Sequence, residues 1–492
     1  MEIVKAKNLI FSYPDAQSPA LNGVDLSLEK GDFCLVCGRS GSGKSTLLRL
    51  LKKEIAPFGK LDGTLEIGAS QIGFVNQNVE NNIVTETVQG ELAFPLQNTE
   101  MPNNRIALRI AETASRFDLN EYINEKTANL SGGVKQLLAL ASVMTVRPDL
   151  LVLDEPCSQL DPVSAGRFIS TALRLNREEG VTVIISEHRA ADILPLATKI
   201  LFLDEGRGSV FTSSQEFANG LINSDNPMAE ILPPFTRLLS GHPLSFAKAA
   251  ENARALKPAP AAPEAQSSPA ITAKGLCFAY KKGGADVLFD LNYTAQAGKI
   301  NVIVGANSSG KTTLLKCLGG VLKSYSGRVK TALKTAYMPQ NVNTMFLKDR
   351  VSDEVSDGGL LEKLGLGNLL SRNPFDLSGG EAQRLAIAKA LDSGAEILLL
   401  DEPTKSVDAA FKTEFAAILR GLCAQGKTVV VVTHDLEFAG RFADNCAFLF
   451  NGEIVASGSR REFFSALKIY TTALSRLTDG RVISLDDAEV GV

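Results

Sequence analysis

The chain has 492 residues, 45% of them hydrophobic and 22% charged, and a net charge of −4. This length is too great for one hydrophobic core and favours two or more domains, while the charge balance argues against nucleic acid as the main partner. No apolar run approaches the ~18 residues that span a bilayer, the start lacks the apolar segment of a signal peptide, and the seven scattered cysteines fit a reducing compartment. We therefore expect a soluble or peripheral protein of the cytoplasm.

The first motif is a glycine-rich loop between a predicted buried strand over 32–37 and a helix. Cys34 and Cys37 lie in this strand, and because no second ligand pair accompanies them we expect burial rather than a zinc or redox site. The loop fits G-x-x-x-x-G-K-[ST], the pattern of a backbone cradle for phosphates at a helix N-terminus. In it Lys44 would reach the β- and γ-phosphates and the Ser45 hydroxyl would bind Mg²⁺. The loop residues are Gly38, Arg39, Ser40, Gly41, Ser42, Gly43, Lys44, Ser45 and Thr46.

The motifs of the first half recur in the second half in the same order. A second phosphate loop follows a predicted strand over 299–304, and its lysine lies 311 − 44 = 267 residues after the first one. The offset is 340 − 77 = 263 for a Gln after a short strand and 378 − 131 = 247 for a Leu-Ser-Gly-Gly motif, so the second copy is shorter between these two motifs. Such a repeat makes each copy one domain. The second loop consists of Gly305, Ala306, Asn307, Ser308, Ser309, Gly310, Lys311, Thr312 and Thr313.

The two copies are joined by a segment rich in Pro, Ala and Ser over 257–270, a composition that builds no core and favours an extended tether. We therefore predict a first domain over 1–256, including a C-terminal tail, and a second domain over 271–492. In each domain short apolar strands alternate with helices, and the continuous Val/Ile runs over 181–185 and 428–432 are typical of buried parallel strands. The predicted fold class is α/β, with a mostly parallel sheet in each domain.

Acidic residues end matching apolar strands in both copies. Asp154 and Asp401 can hold Mg²⁺ there, and the next residues, Glu155 and Glu402, can orient and deprotonate an attacking water. A single Asp-Glu-Pro could equally be an exposed acidic turn after a strand. Its pairing with a phosphate loop in both copies favours the catalytic interpretation.

Two histidines and two glutamines also occupy matching positions. His188 and His434 lie at strand ends, where a ring nitrogen can donate a hydrogen bond to the γ-phosphate. Gln77 and Gln340 follow short strands and can reach Mg²⁺ or the lytic water. These residues complete a predicted hydrolytic site in each copy.

Tyr13 and Tyr280 precede the two loops at equal distance, and their rings could stack on an adenine, although a single tyrosine is more often part of the core. The Leu-Ser-Gly-Gly motif precedes an apolar helix in each copy, and its hydroxyl, N–H groups and helix dipole form a second anion-binding end. One domain does not need two such ends for one triphosphate. We therefore expect the domains to work head to tail, each motif capping the partner's nucleotide. The motif residues are Ser131, Gly132, Gly133, Ser378, Gly379 and Gly380.

Both copies carry the same motifs in the same order: phosphate loop, Gln, Leu-Ser-Gly-Gly, Asp-Glu-Pro and His. In this order they resemble the nucleotide-binding domains of ATP-binding cassette (ABC) ATPases. The resemblance covers nearly all of both copies and implies two tandem P-loop NTPase domains, each with an α-helical subdomain, that hydrolyse ATP with Mg²⁺ as an intramolecular pseudo-dimer. It also implies that Asp161 and Asp408 belong to a loop that crosses between the domains. The implied composite sites join Lys44, Ser45, Gln77, Asp154, Glu155 and His188 to Ser378 and Gly380, and Lys311, Thr312, Gln340, Asp401, Glu402 and His434 to Ser131 and Gly133.

A narrower resemblance, to the ATPases of energy-coupling factor (ECF) transporters, lies in 77–94 and 187–197, with a weaker echo in 340–341 and 349–355. In that family the region after the Gln forms a groove for coupling helices of a membrane subunit, and vitamins and metal ions are typical cargoes. The resemblance implies an ATPase at the cytoplasmic face of the cell membrane. Its partners would be a transmembrane coupling subunit and a substrate-binding membrane subunit, without nucleic acid.

Two alternatives stay open. The fused ATPase of a sugar-type ABC importer is expected to have a degenerate second site, and a soluble tandem ABC protein acting on ribosomes or DNA is expected to have a long, charged linker. Both copies keep their Lys, Asp, Glu and His, and the linker is short and rich in Pro and Ala, which favours the ECF-type importer. Val134, where the second copy has Glu381, and Pro95, where the family usually has Gly, predict that the two sites differ in detail.

Overall fold

The computed structural model describes residues 2–14, 16, 18–97, 99, 101–188, 190–259, 267–405, 407 and 409–490. The chain divides into two compact units between Pro233 and Pro234. A six-stranded sheet forms the centre of each unit. The prediction of two tandem α/β domains with mostly parallel sheets is therefore confirmed.

The strands of the first unit are β1 (Glu2–Ser12), β2 (Leu21–Glu29), β3 (Phe33–Gly38), β4 (Lys60–Ile67), β5 (Ile72–Val75), β6 (Leu150–Asp154), β7 (Thr182–Ser186), β8 (Lys199–Asp204) and β9 (Arg207–Phe211). Its α-helices are α1 (Lys44–Leu50), α2 (Val88–Gln97), α3 (Asn103–Arg116), α4 (Gly132–Met144), α5 (Pro162–Glu179) and α6 (Ser214–Asn223). The central sheet has the order β5-β6-β7-β3-β8-β9, in which only β9 is antiparallel to its neighbour.

The central strands of this sheet are covered on both faces. β3, β6 and β7 are buried at every position, which explains why their sequences are continuously apolar instead of alternating. Cys34 and Cys37 are fully buried in β3, as predicted. Because the three strands are parallel, their carboxyl ends meet at one edge, where the first phosphate loop, Asp154 and the segment leading to His188 follow them.

The strands of the second unit are β10 (Leu256–Pro258), β11 (Pro269–Phe278), β12 (Leu288–Gln296), β13 (Ile300–Val304), β14 (Ser326–Lys330), β15 (Thr335–Met338), β16 (Ile397–Asp401), β17 (Thr428–Thr433), β18 (Asn445–Phe450), β19 (Glu453–Ser459) and β20 (Ala488–Val490). Its α-helices are α7 (Pro234–Leu238), α8 (Phe246–Asn252), α9 (Lys311–Leu318), α10 (Val351–Glu354), α11 (Gly358–Lys363), α12 (Gly379–Asp392), α13 (Ala409–Ala424), α14 (Leu436–Phe442), α15 (Arg460–Ala466) and α16 (Ala473–Thr478). The central order, β15-β16-β17-β13-β18-β19, repeats that of the first unit.

The two units differ in length where the sequence predicted it. Between the Gln and the Leu-Ser-Gly-Gly motif the first unit has α2 with 10 residues and α3 with 14. The second unit has α10 with 4 residues and α11 with 6 in this segment. Between these two motifs the second unit therefore has the shorter helices.

Residues 234–258 do not follow the predicted boundary. The sequence placed 234–256 with the first domain and 257–258 in the linker, whereas in the structure all of them belong to the second unit. Phe235, Leu239 and Leu256 form an apolar cluster with Leu474 and Val482, and β10 pairs antiparallel with β20. The physical reason is that α7 and α8 carry apolar side chains that the C-terminal segment buries. Part of the predicted linker, 260–266, lies outside the described residues.

Candidate functional site

In each unit the glycine-rich loop closes around its own lysine. Nζ of Lys44 donates hydrogen bonds to the carbonyl oxygens of Gly38 (3.0 Å) and Arg39 (2.9 Å), and Nζ of Lys311 bonds the two matching carbonyls at the same distances. Both lysines are buried. Each is the first residue of its helix, so the helix N–H groups without an intrahelical partner lie beside the loop.

The backbone and hydroxyls of the loops fit an anion. Gly43 has a φ of 98°, and a Cβ there would lie 2.4 Å from the carbonyl oxygen of Ala20, so only glycine allows this close turn. The hydroxyls of Ser42 and Ser309 are buried, and neither has a hydrogen-bond partner among the described residues. A buried hydroxyl needs such a partner, and a phosphate oxygen held by the loop would supply it.

The acidic pair of the first unit follows β6. The hydroxyls of Ser45 and Ser186 donate to Oδ1 of Asp154 at 3.0 and 2.9 Å, so the loop, β6 and β7 meet at this carboxylate. The next residue, Glu155, has a φ of 45°, a left-handed conformation that is uncommon outside glycine. Its N–H donates to the carbonyl oxygen and the hydroxyl of Ser186, and these bonds hold the strained turn.

The carboxylate of Glu155 joins two other predicted site residues. Nε2 of Gln77 donates to Oε2 at 2.7 Å, and Nε2 of His188 lies 2.8 Å from Oε1. Glu155 itself is buried. The first unit thus places the predicted histidine and the predicted glutamine against the carboxylate of the predicted base, Glu155.

The second unit assembles the corresponding residues differently. The hydroxyl of Thr312 donates to Oδ1 of Asp401 at 3.0 Å. Nδ1 of His434 lies 2.9 Å from Oε2 of Glu402, and Nζ of Lys311 lies 3.8 Å from Oε1. Gln340 is exposed and, within the part of the chain that the structure describes, makes no hydrogen bond to Glu402. Only the first unit has the Gln–Glu contact.

The pKa values of the site aspartates and of the site glutamates are shifted in opposite directions by burial and by neighbouring side chains. Burial raises the pKa of Asp154 and of Asp401 above the ordinary value. Burial alone would also raise the pKa of Glu155 and Glu402, but the adjacent histidine and the loop lysine of each unit outweigh it and hold both pKa values below the ordinary one. Both glutamates are therefore ionised at neutral pH, as a base that accepts a proton from water must be.

The two predicted adenine-stacking tyrosines are anchored at the loops. The hydroxyl of Tyr13 lies 3.0 Å from Oγ1 of Thr46, and that of Tyr280 lies 3.0 Å from Oγ1 of Thr313. Each ring packs edge-on against the phenylalanine two residues before it and is still exposed. An exposed ring held beside a phosphate loop is compatible with the predicted stacking.

The Leu-Ser-Gly-Gly motifs begin α4 and α12. Oγ of Ser131 accepts the N–H of Val134, and Oγ of Ser378 accepts the N–H of Glu381, both at 3.4 Å. In the second unit a reciprocal bond is also present: the carboxylate of Glu381 accepts the N–H of Ser378 at 2.8 Å and completes a capping box. Val134, the corresponding residue of the first unit, has no side-chain acceptor for such a bond. The glycines that follow, Gly132, Gly133, Gly379 and Gly380, are exposed or half-buried.

Asp161 begins α5. Its carboxylate accepts the N–H groups of Val163 and Ser164 at 3.1 Å and the hydroxyl of Ser164 at 2.9 Å. A Cβ on Gly133 would lie 2.9 Å from Oγ of Ser164, so the motif glycine passes close to this helix start. The matching residue, Asp408, lies outside the described residues.

Two buried glutamates were not predicted as site residues. Glu91 on α2 accepts the N–H groups of Val84 (3.0 Å) and Thr85 (2.9 Å) and the hydroxyl of Thr85 (3.0 Å). Glu354 on α10 accepts the N–H groups of Leu347 and Lys348 and pairs with a lysine of α12. Their offset, 354 − 91 = 263, equals that of the two glutamines, and this equality was the signal in the sequence.

These carboxylates anchor the loops that follow Gln77 and Gln340. The anchored segments still carry exposed apolar side chains: Val84 is 61% exposed, Phe94 44% and Leu347 81%. We call residues 77–97 and 340–355 the anchored segments. Apolar side chains therefore stay exposed on segments whose loops are held by buried carboxylates.

The sequence pattern of the ABC transporter family matches residues 21–158 and 288–405, which is more than half of the chain. A protein of Bacillus anthracis that carries the provisional name ABC transporter ATP-binding protein is 36% identical over 96% of this chain and 94% of its own length.

The chain belongs to the ABC transporter family.

It is an ATP-binding ATPase with two fused ABC domains. A protein of Bacillus subtilis (strain 168), provisionally named HMP/thiamine import ATP-binding protein, is 27% identical over 94% of this chain and 93% of its own length. Among solved structures, an RNase-L inhibitor matches 94% of this chain and 92% of its own with a TM-score of 0.64 and 22% identity. At that identity the likeness shows the tandem ABC fold.

The oxygen donors around each phosphate loop suit Mg²⁺. In the first ABC domain the Ser45 hydroxyl bonds the Asp154 carboxylate, and Gln77 bonds the next residue, Glu155. Hard oxygen ligands, few in number, are what Mg²⁺ takes when phosphates and water complete its shell. In the described ranges no three His, Cys, Asp or Glu side chains form a metal cluster of their own. No α-helix in those ranges is long and apolar enough to cross a bilayer.

Proposed function

We propose that this ABC ATPase is the energising subunit of an ECF-type importer, and that its two ATP sites drive transport of a vitamin, a metal ion or a similar small solute. The observation that carries the proposal is the pair of anchored segments. Their loops are held by buried Glu91 and Glu354 while apolar side chains stay exposed, which suits a rigid receptor for coupling helices of a membrane subunit. The similarity to a protein named for HMP/thiamine import supports it.

In the first domain the proposed roles follow from the contacts. Lys44 would neutralise the β- and γ-phosphates, and Glu155 would take the proton of the attacking water. His188, which lies 2.8 Å from Glu155, would hold that carboxylate and contact the γ-phosphate. Gln77 already bonds Glu155 and would position the water or the metal.

Mg²⁺ would be held by a hydroxyl, a carboxylate and a glutamine in each domain, and would neutralise charge on the β- and γ-phosphates. The proposed ligands are Ser45, Asp154 and Gln77, and Thr312, Asp401 and Gln340. The hydroxyl–carboxylate bond is present in both domains. In the second domain Lys311, Glu402 and His434 would take the roles of their counterparts.

We propose that the domains act as an intramolecular pseudo-dimer. Ser378 and Gly380 would cap the nucleotide of the first domain, and Ser131 and Gly133 that of the second. ATP would close the domains, and hydrolysis with release would open them, which would move the coupling helices of a transmembrane subunit at the cytoplasmic face of the membrane. A substrate-binding membrane subunit would complete the importer.

The anchored segments provide the test. Val84→Asp and Leu347→Asp should each reduce the amount of ATPase that co-purifies with membrane protein from gently solubilised membranes, because a charge in an apolar contact is costly. Phe58→Asp and Ile469→Asp are matched controls, since Phe58 and Ile469 are 87% and 84% exposed and lie outside the segments. Recovery of the wild-type protein with ribosomes and none with membranes would contradict the proposal and favour the ribosome-acting alternative.

A further inference from the structure

The two proposed magnesium-binding aspartates receive their second hydrogen bond from different places. In the first domain both donors, Ser45 and Ser186, bond the same oxygen, Oδ1 of Asp154. Ser186 is the last residue of β7, directly opposite Asp154 on the neighbouring strand. Its hydroxyl is fully buried.

In the second domain the hydroxyl of Tyr337 replaces that of a serine. It donates to Oδ2 of Asp401 at 2.9 Å, while Thr312 bonds Oδ1. Tyr337 comes from β15, on the opposite side of β16 from β17. A tyrosine hydroxyl is protonated at neutral pH, so it can donate this bond.

Strand register shows which positions of the two domains correspond. Phe74 pairs with the third residue of β6 and Tyr337 with the third residue of β16, so these two aromatic residues are equivalent. Val432 lies opposite Asp401 as Ser186 lies opposite Asp154. The first domain therefore has Phe and Ser where the second has Tyr and Val. At this pair of positions each domain has one hydroxyl, in addition to that of the phosphate loop.

This exchange is more than a packing difference. Ser186 and Val432 are both fully buried, so either side chain fills the position, but only the serine can donate. A carboxylate without its second donor could rotate about its terminal torsion, which is a broad one. Hydrogen bonds of this kind orient metal ligands, and their loss typically costs about 10- to 100-fold in metal affinity or activity.

We propose that Ser186 and Tyr337 are positioning residues that orient the magnesium-binding carboxylates of the first and the second ATP site, and that they are interchangeable solutions to one requirement. The inference rests on the proposed magnesium role of Asp154 and Asp401 and is independent of the transport role. Because the first pair of bonds converges on one oxygen and the second uses both, the two sites differ in which carboxylate oxygen stays available.

The test exchanges the two solutions within the full chain. Ser186→Val and Tyr337→Phe each copy the residue of the other domain, so both should fold, and each removes one donor. Adding Phe74→Tyr to Ser186→Val, or Val432→Ser to Tyr337→Phe, restores a donor from the other side. Phe74→Tyr alone and Val432→Ser alone are the controls. Thermal unfolding of every variant reports on folding.

The first readout is binding of Mn²⁺ with a non-hydrolysable ATP analogue, followed by the electron paramagnetic resonance signal of free Mn²⁺. We expect each donor-removing variant to weaken Mn²⁺ binding at its own site about tenfold, and each double variant to recover most of it. The second readout is the Mg²⁺ concentration for half-maximal ATP hydrolysis, which should rise and recover in parallel.

Unchanged Mn²⁺ binding in Ser186→Val and Tyr337→Phe, or double variants that fold but do not recover, would overturn the proposal. Asp154→Asn and Asp401→Asn separate this failure from a broader one. If they too leave Mn²⁺ binding unchanged, the magnesium role itself is wrong. If they weaken it while the hydroxyl variants do not, only the positioning role is wrong.

Discussion

Gln77 donates a 2.7 Å hydrogen bond to Glu155, whereas the equivalent Gln340 is exposed and, among the described residues, has no bond to Glu402. The proposed base of the first site is thus held by two side chains. That of the second is held by the ring and the backbone N–H of His434, with a loop lysine at 3.8 Å. The two sites therefore differ in which groups hold the base.

The double variant Glu155→Gln/Glu402→Gln should bind ATP with nearly unchanged affinity and hydrolyse it about 10² to 10⁴ times more slowly. The reason is that a carboxamide accepts no proton from water while the phosphate loops stay intact. Phosphate release and binding of a fluorescent ATP analogue measure the two properties. Turnover close to that of the wild type would contradict the assignment of the base.

The single variants Glu155→Gln and Glu402→Gln should reduce steady-state hydrolysis by unequal amounts. Glu155 carries the Gln77 contact as well as the histidine contact, and the helix caps at Val134 and Glu381 also differ. Parallel assays of both variants at saturating ATP measure the ratio. Equal losses would count against functional asymmetry of the sites.

Val134→Glu should stabilise the first domain and Glu381→Ala should destabilise the second, each by roughly 0.3–1.5 kcal/mol. The first change adds the reciprocal half of a capping box to Ser131, and the second removes it from Ser378. Urea unfolding measures both effects. Val134→Leu is the matched control, because it adds side-chain volume without an acceptor. A gain in the leucine variant equal to that in the glutamate variant would rule out the cap as the cause.

The second domain should lose stability below the ordinary glutamate pKa of 4.5. Burial alone would raise the pKa of Glu354, but the ammonium of Lys389 and the N–H groups of Leu347 and Lys348 outweigh it, so the folded-state pKa is lowered. The stabilisation from this group is therefore complete above the unfolded-state value and disappears as pH falls through the folded-state value. Urea midpoints from pH 7 down to about pH 2 measure the slope below the unfolded-state value.

Glu354→Gln is the comparison for this pH dependence. It should lower stability at pH 7, because the carboxamide pairs poorly with an ammonium and two N–H donors. It should also flatten the decrease on the acid side. A Glu354→Gln protein whose stability falls as steeply as that of the wild type between about pH 5 and about pH 2 would show that other groups cause the decrease.

Cutting the chain at a protease site engineered into residues 260–266 should leave two fragments that stay together. Residues 234–258 pack within the second unit through Phe235, Leu256 and Leu474, and Ala259 donates its N–H to the carbonyl oxygen of Asp487. Size-exclusion chromatography of the cut protein measures this. Leu256→Asp should weaken the association, because it buries a charge in the cluster. If the two fragments of the cut protein separate without the Leu256→Asp substitution, the assignment of this packing is wrong.

The motifs and strand ends of both domains were predictable because each rests on local chemistry: a glycine turn, an apolar strand, an acidic residue directly after it. The offsets of equal residues paired the two copies without any coordinates. The exchange of Ser186 for Tyr337 was not predictable in this way, since it depends on which strands flank β6 and β16. The packing of residues 234–258 was missed because the decisive partners, such as Leu474, lie more than two hundred residues away.

The pairing of β10 with β20 also sets an order of events during synthesis. The first unit has its whole chain once Pro233 has been made, so it can fold while the rest is still being translated, as N-terminal domains generally do. The strand at Leu256–Pro258 has to wait for Ala488–Val490, at the opposite end of its unit. β10 and β20 can therefore pair only after Ala488–Val490 has been made, and a chain stopped before Ala488 leaves β10 without this partner.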